Sequence, residues 1–184
     1  ADGFSYSQAK ALGYGYIGLN AGKDSLANVN VRRAIAVTMN TALTLDYYPG
    51  TAEILHRTMP KVSWAYPTNA EPYYEYDSTG ESAKSYLAQA GYTQNLQGKM
   101  VDSSGKQLKL TYTIAGADDD HPAAKTFYKS QEILNSLGCD ITVRTDNDAL
   151  SKLNNGELEV WAAAWSTTID PDMYQTYHKD SQAT

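Results

Sequence analysis

The chain has 184 residues, 42% of them hydrophobic and 20% charged, the composition of one globular domain with an ordinary core. Fifteen basic residues against 21 acidic ones leave a net charge of −6. With Arg32-Arg33 as the densest basic pair, this excludes a binder of phosphate backbones, so no nucleic acid is expected as a partner. A single cysteine, Cys139, excludes an internal disulfide and a thiolate zinc site, and no apolar run approaches the roughly 20 residues of a membrane span.

Residues 14–20 alternate, with Gly15, Ile17 and Leu19 on one side and Tyr14, Tyr16, Gly18 and Asn20 on the other, which predicts a strand. Asn28 or Asn30 can cap a helix that begins near Val31. Val31, Ala34, Ile35, Thr38 and Ala42 then recur at helical spacing. Residues 51–77 carry Pro60, Pro67 and Pro72 among Trp64, Tyr66, Tyr73, Tyr74 and Tyr76, a pattern that forbids continuous regular structure and marks a functional or covering loop.

Ser78-Thr79-Gly80-Glu81 has the form of a capping box, followed by Ala83, Leu87 and Ala90 on one helix face and Gly91 as a left-handed stop. Leu108, Leu110, Tyr112 and Ile114 alternate as a strand. Asp120 is placed to cap the next helix, with Pro122 in its first turn and Ala123, Phe127, Leu134 and Leu137 on its apolar face, until Gly138 ends it. Ile141, Val143 and Thr145 form another strand. Asp146 or Asn147 opens a short helix with Leu150 and Leu153, and residues 158–165 read as a strand buried on both faces. Asp170-Pro171 is expected to start a last helix through Tyr174 and Tyr177.

From Leu108 onward the order is therefore strand, helix, strand, helix, strand, which argues for an α/β layer with right-handed crossovers. Ligands bind such sheets outside the carboxyl ends of the strands. Here those ends are residues 116–120 and 165–170. Trp165, leading into Ser166-Thr167-Thr168, offers a flat apolar wall there, while Trp161 is assigned to the core. The 15 tyrosines against 2 phenylalanines suit half-wet positions, because a buried hydroxyl needs a partner.

Other motifs lose to plainer readings. Gly13-Tyr14-Gly15-Tyr16-Ile17-Gly18 matches a dinucleotide fingerprint in letters, but its glycines fall inside a strand with no helix behind them. Asp118-Asp119-Asp120-His121 reads as a solvated loop and helix cap, and His56, His121 and His178 share no ligand spacing, so no metal and no cofactor are expected. Neither a nucleophile elbow nor a phosphate loop occurs, and the chain is expected not to be an enzyme.

Several segments, in order, resemble the oligopeptide- and dipeptide-binding family of extracytoplasmic solute-binding proteins that serve ABC importers, solute-binding protein family 5. They are Tyr16-Ile17-Gly18-Leu19-Asn20, Asn30-Val31-Arg32-Arg33-Ala34-Ile35, Met59-Pro60 with Ser63-Trp64-Ala65, Leu87-Ala88-Gln89-Ala90-Gly91-Tyr92, residues 133–138, and Trp165 with Asp170-Pro171. The resemblance implies an α/β fold, one lobe of a two-lobed periplasmic-binding-protein-like architecture with a mixed sheet flanked by helices. Residues 1–184 are then a single domain, most of the carboxyl-terminal lobe, whose partner lobe and targeting segment are not in this chain. It implies a periplasmic or cell-surface location. The function implied is binding a peptide or related small solute between two lobes and delivering it to a membrane permease.

Trp165, Ser166, Thr167 and Thr168 are the expected ligand-binding residues, with Tyr16 and Asn20 beside them. In peptide-binding members an aspartate three residues after the matching tryptophan holds the peptide amino terminus. Thr168 stands there in this chain and brings no charge, which gives weight to solutes other than free peptides. Two alternatives remain: a glycan-binding or adhesion module stacking on Trp and Tyr, and a hydrolase using the carboxylates of Asp118, Asp119 and Asp120.

Overall fold

The computed structural model describes residues 3, 5, 7, 9–117 and 120–181. Four strands form the main sheet: β1 (Gly13–Leu19), β4 (Lys109–Ala115), β5 (Asp140–Asp146) and β6 (Val160–Ser166), in the spatial order β1-β6-β4-β5. β4 runs parallel to both β5 and β6, and β1 lies antiparallel to β6, with Gly13 opposite Ser166 and Leu19 opposite Val160. The expected mixed α/β sheet is thus present. A small hairpin, β2 (Thr93–Gln94) with β3 (Met100–Val101), stands apart from it.

The helices are α1 (Asp24–Ala27), α2 (Val29–Thr38), α3 (Glu81–Gln89), α4 (Ala124–Ser136), α5 (Ala149–Asn154) and α6 (Tyr174–Tyr177). Alternation in the strands decides where the core lies. Leu110, Tyr112 and Ile114 of β4, Ile141 of β5 and Val160 of β6 face Val31, Ala34 and Ile35 of α2, Leu87 of α3, and Phe127 and Leu134 of α4. Ile17, Leu19, Val143 and Ala162 pack at its margin. One polar link crosses this core: the Ser130 hydroxyl lies 2.6 Å from Thr38 Oγ1 and 3.2 Å from Tyr112 OH, all three residues being buried. Burial holds the Tyr112 hydroxyl well above the ordinary tyrosine range.

From β4 the chain crosses through α4 to β5, then returns through α5 to β6 on the far side of β4. Two right-handed crossovers in opposite directions use opposite faces, so α5 lies against β4 on the outer face, and Thr113 there is buried.

Several expected local features take another form. α2 ends at Thr38, and Ala42 falls in a 3₁₀ turn, Thr41–Tyr47, where it is exposed. At α3 the cap is Asp77 and not the Ser78/Glu81 pair: its carboxylate accepts from the Thr79 amide and hydroxyl and from the Ser82 amide, at 2.8, 2.5 and 2.7 Å. α4 begins at Ala124, two residues beyond Pro122, and the His121 ring accepts from the Ala123 amide at 3.1 Å. Leu150 is exposed on α5. β6 is buried on both faces only at its start, for Val160 is inaccessible whereas Ala164 and Ser166 are exposed. The last helix is a single turn starting at Tyr174.

Between the 3₁₀ turn and α3, residues 51–77 contain no helix or strand, as the prolines require. Arg57 organises this loop: its guanidinium donates to the His56 and Glu71 carbonyls at 2.6 and 2.7 Å and sits 4.3 Å from the centre of the Tyr73 ring. Trp64 remains 78% exposed.

Candidate functional site

The carboxyl ends of β4, β5 and β6 share one edge of the sheet, and because β1 is antiparallel its first residues arrive at the same edge. Trp165, one residue before the end of β6, lies opposite Tyr14. Period-two alternation puts Tyr14, Tyr16, Trp161 and Trp165 all on the outer face. There Trp165 stacks with Tyr16, ring centres 6.4 Å apart and planes 13° from parallel, and Tyr14 lies 6.4 Å from Tyr16 at 60°. The Tyr14 hydroxyl, desolvated and close to Tyr177 and Tyr16, is held above the ordinary tyrosine range. Tyr14 was legible as a strand residue but not singled out for the site; its two-residue spacing from Tyr16 was the available signal.

Beyond Trp165 the chain forms an open shelf. Ser166 and Thr168 are exposed. The Thr167 hydroxyl donates to the Leu12 carbonyl, tying the shelf to the lead-in of β1. Thr168 Oγ1 donates to the Asp170 carbonyl at 3.1 Å. The Asp170 carboxylate accepts from the Asp172 amide, and that of Asp172 from the Tyr174 amide at 2.8 Å, so both serve the turn into α6. Tyr174 stacks on His178 at 4.3 Å.

Asn20 does not join this group. It follows the far end of β1, about 20 Å from Trp165 for six residues of extended strand. Its side-chain amide donates to the Gly156 and Leu158 carbonyls, both at 3.1 Å, while its carbonyl oxygen accepts from the Gly22 amide at 3.0 Å. Trp161 is half-buried on the outer face, not in the helix-side core, and its indole lies over Gly18 with Nε1 buried and without a partner among the described residues. The third glycine of the fingerprint-like run therefore makes room for a ring.

The acidic loop falls partly outside the described residues, which omit Asp118 and Asp119. Beside it, burial lowers the His121 pKa, so the ring is neutral at pH 7. At the end of β5, Asp146 is held below the usual carboxylate range by Lys152 Nζ, 2.6 Å away, and by the Asp148 amide. No group of three or more His, Cys, Asp or Glu side chains among the described residues could hold a metal ion.

The sheet thus carries an aromatic wall at its carboxyl edge, and comparison with known proteins gives the fold a family. The model of the bacterial extracellular solute-binding proteins, family 5 Middle, matches residues 1–184. This chain belongs to that family. Family 5 structures share its fold. The oligopeptide-binding protein AppA of Bacillus subtilis, solved with a nonapeptide, superimposes with a TM-score of 0.79 at 23% identity, over 95% of this chain and 36% of AppA. DppA of Helicobacter pylori, solved with the peptide STSA, gives 0.70 at 25% identity, over 92% of this chain and 30% of DppA. NikZ of Campylobacter jejuni, solved with Ni(L-His), gives 0.71 at 20% identity, over 90% and 32%. The chain thus spans about a third of the length of these proteins. No curated protein sequence matches it.

Proposed function

We propose that residues 1–184 are one lobe, most of the carboxyl-terminal one, of a two-lobed ABC-importer receptor that closes on a peptide or related small solute outside the cytoplasmic membrane and hands it to a permease. The role is binding and includes no catalytic step. The family match over residues 1–184 supports it, as do structural neighbours solved with peptides. The observation that carries the reading is the stacked Trp165–Tyr16 pair opening on the carboxyl edge.

In this reading Trp165 and Tyr16 supply a flat wall for ligand side chains or backbone, and Ser166 and Thr168 supply hydroxyls at its rim. Thr167, bonded to the Leu12 carbonyl, positions the segment. Asn20 acts indirectly, holding the far end of β1 to the turn before β6. Thr168 brings no charge, so an ammonium group is not the feature recognised at that position.

The test is titration calorimetry on the complete protein, with the ligand identified by native mass spectrometry of material purified without denaturation. Trp165→Ala is expected to weaken binding by about 2 kcal/mol, roughly thirtyfold, as loss of a central aromatic anchor does. Unchanged affinity would remove Trp165 from the site, and a co-purified glycan would replace the substrate class.

A further inference from the structure

The β1–β6 ladder closes differently at its two ends. Gly13 lies opposite Ser166 and Leu19 opposite Val160, so one further step sets Asn20 against Glu159 and Leu12 against Thr167. At the far end the main chain carries the ladder on: the Asn20 amide donates to the Glu159 carbonyl at 2.9 Å. Bonded pairs alternate along an antiparallel ladder. Counted in twos from Asn20, the bonded positions of β1 are Gly18, Tyr16 and Tyr14, and the next is Leu12. The closing bond at the ligand edge therefore belongs between Leu12 and Thr167, yet no main-chain bond joins them among the described residues. The Thr167 hydroxyl supplies it instead, donating to the Leu12 carbonyl.

A side chain standing in for an amide lets the backbone leave the sheet without releasing β1. From Thr167 the chain turns onto the shelf, where Thr168 Oγ1 donates to the Asp170 carbonyl at 3.1 Å. Thr167 is half-buried, while Ser166 and Thr168 on either side of it are exposed. Its branched β-carbon restricts χ1, so the hydroxyl is presented to Leu12 with little freedom left to lose. A hydroxyl has one proton to give. Here it goes to Leu12.

Trp165 lies two residues before this closing bond, and its ring reaches diagonally across the ladder to stack on Tyr16. The stack holds only while the two strands keep their register at this end. β1 has little with which to keep it. Gly13 and Gly15 offer no side chains to pack across the pair, and a Cβ added at Gly13 would meet the Trp165 carbonyl at 3.0 Å. Beyond the Tyr14–Trp165 pair, the next tie is the Thr167 hydroxyl.

We propose that Thr167 is a positioning residue whose hydroxyl closes the ladder at the ligand edge and so holds Trp165 against Tyr16, without itself touching the solute. The proposal deepens the solute-binding reading and rests on it for the use to which the ring pair is put.

The test compares two variants in the complete protein with no solute added. Thr167→Val keeps the branched shape and deletes the hydroxyl, and Thr167→Ser keeps the hydroxyl. Fluorotryptophan labelling gives each indole its own fluorine NMR resonance, and Trp165→Phe identifies that of Trp165. Thr167→Val is expected to shift the Trp165 resonance and leave that of Trp161 in place, while Thr167→Ser moves neither. Amide hydrogen exchange, read by mass spectrometry of overlapping peptides, should quicken roughly fivefold at Tyr14 and Trp165 in Thr167→Val, the effect of losing one ordinary hydrogen bond. Exchange at Gly18 and Trp161, toward the far end of the ladder, should not change. An unmoved Trp165 resonance in Thr167→Val overturns the proposal. So does a Thr167→Ser variant that behaves like Thr167→Val, because the methyl group would then be the tie. Protection lost evenly over the whole chain overturns it too, as a general loss of stability. None of these readouts uses a solute. The proposal can therefore fail while Trp165 still binds, and can hold if Trp165→Ala leaves affinity unchanged.

Discussion

Asp77 shows how much one side chain can do in an unstructured loop. Its two carboxylate oxygens take three donors at the start of α3, and its own amide donates to the Val37 carbonyl at 2.8 Å, so the proline-rich loop is pinned to α2 where it becomes helix. The Thr79 and Ser82 bonds hold its carboxyl well below the usual carboxylate range. Asp77→Ala is expected to cost about 1 kcal/mol at pH 7, the worth of a lost cap. The native pKa is depressed, so this stabilisation is complete above the unfolded value near 4 and is lost as pH falls through the native one. Urea denaturation of both forms should show their difference shrinking below about pH 4; a gap that is constant with pH would mean that the charge plays no part.

Gly18 is the other residue that decides a local arrangement. A Cβ there would come 2.3 Å from the Trp161 ring. Gly18→Ala must displace the indole, at a cost of about 1–3 kcal/mol, the usual range for overpacking, and near-UV circular dichroism should report the moved ring. Wild-type stability and an unchanged spectrum would mean that the indole is free to swing away.

At the scale of elements, the joint between β4 and β6 is the thinnest part of the sheet, for only Tyr112 with Val160 and Thr113 with Trp161 pair across it. Glu159 extends it. Its Oε2 accepts from the Thr111 amide at 2.7 Å and its Oε1 lies 3.4 Å from Ser25 Oγ, so a side chain takes the place of the next ladder bond and ties in α1. Glu159→Ala leaves that amide without its acceptor and is expected to destabilise by about 1–3 kcal/mol. Amide exchange read by NMR should speed up at Thr111 first, and an unaltered rate there would assign the strand pairing to packing alone. The same scale explains the helix starts that read differently in the structure. At α3 the Asp77 carboxylate, one residue before the expected Ser78, takes the Thr79 and Ser82 amides, and at α4 the His121 ring takes the Ala123 amide, pairings that no spacing rule encodes.

For the molecule as a whole, helices α2, α3 and α4 and the aromatic wall occupy opposite faces of one sheet. α2, α3 and α4 bury the β4 and β5 part of one side, while the outer face over β6 and β1 carries Trp161, Trp165, Tyr14 and Tyr16. Cys139 belongs to the buried side, where desolvation pushes its thiol up to about 12. A thiol reagent should therefore modify it only on unfolding, at a rate that rises with denaturant. Rapid labelling of the native protein would show that the α4–β5 corner opens locally.

The strands and main helices were legible from periodicity because each has one side in a single core: Leu110, Tyr112 and Ile114 could alternate no other way. Glycines at helix ends were equally plain, since Gly91 and Gly138 have positive φ that other residues resist. The sequence by itself thus determined the order of the main strands and helices, the α/β class and the family resemblance. Tertiary structure decided the rest. The alternation of β1 cannot tell which of its neighbours it pairs with, so the antiparallel return that brings Tyr14 and Tyr16 to Trp165, and sends Asn20 about 20 Å away, became visible only with the sheet assembled. The half-exposed end of β6 has the same cause: an apolar run states what a strand could bury, while the neighbours that arrive decide what it does bury.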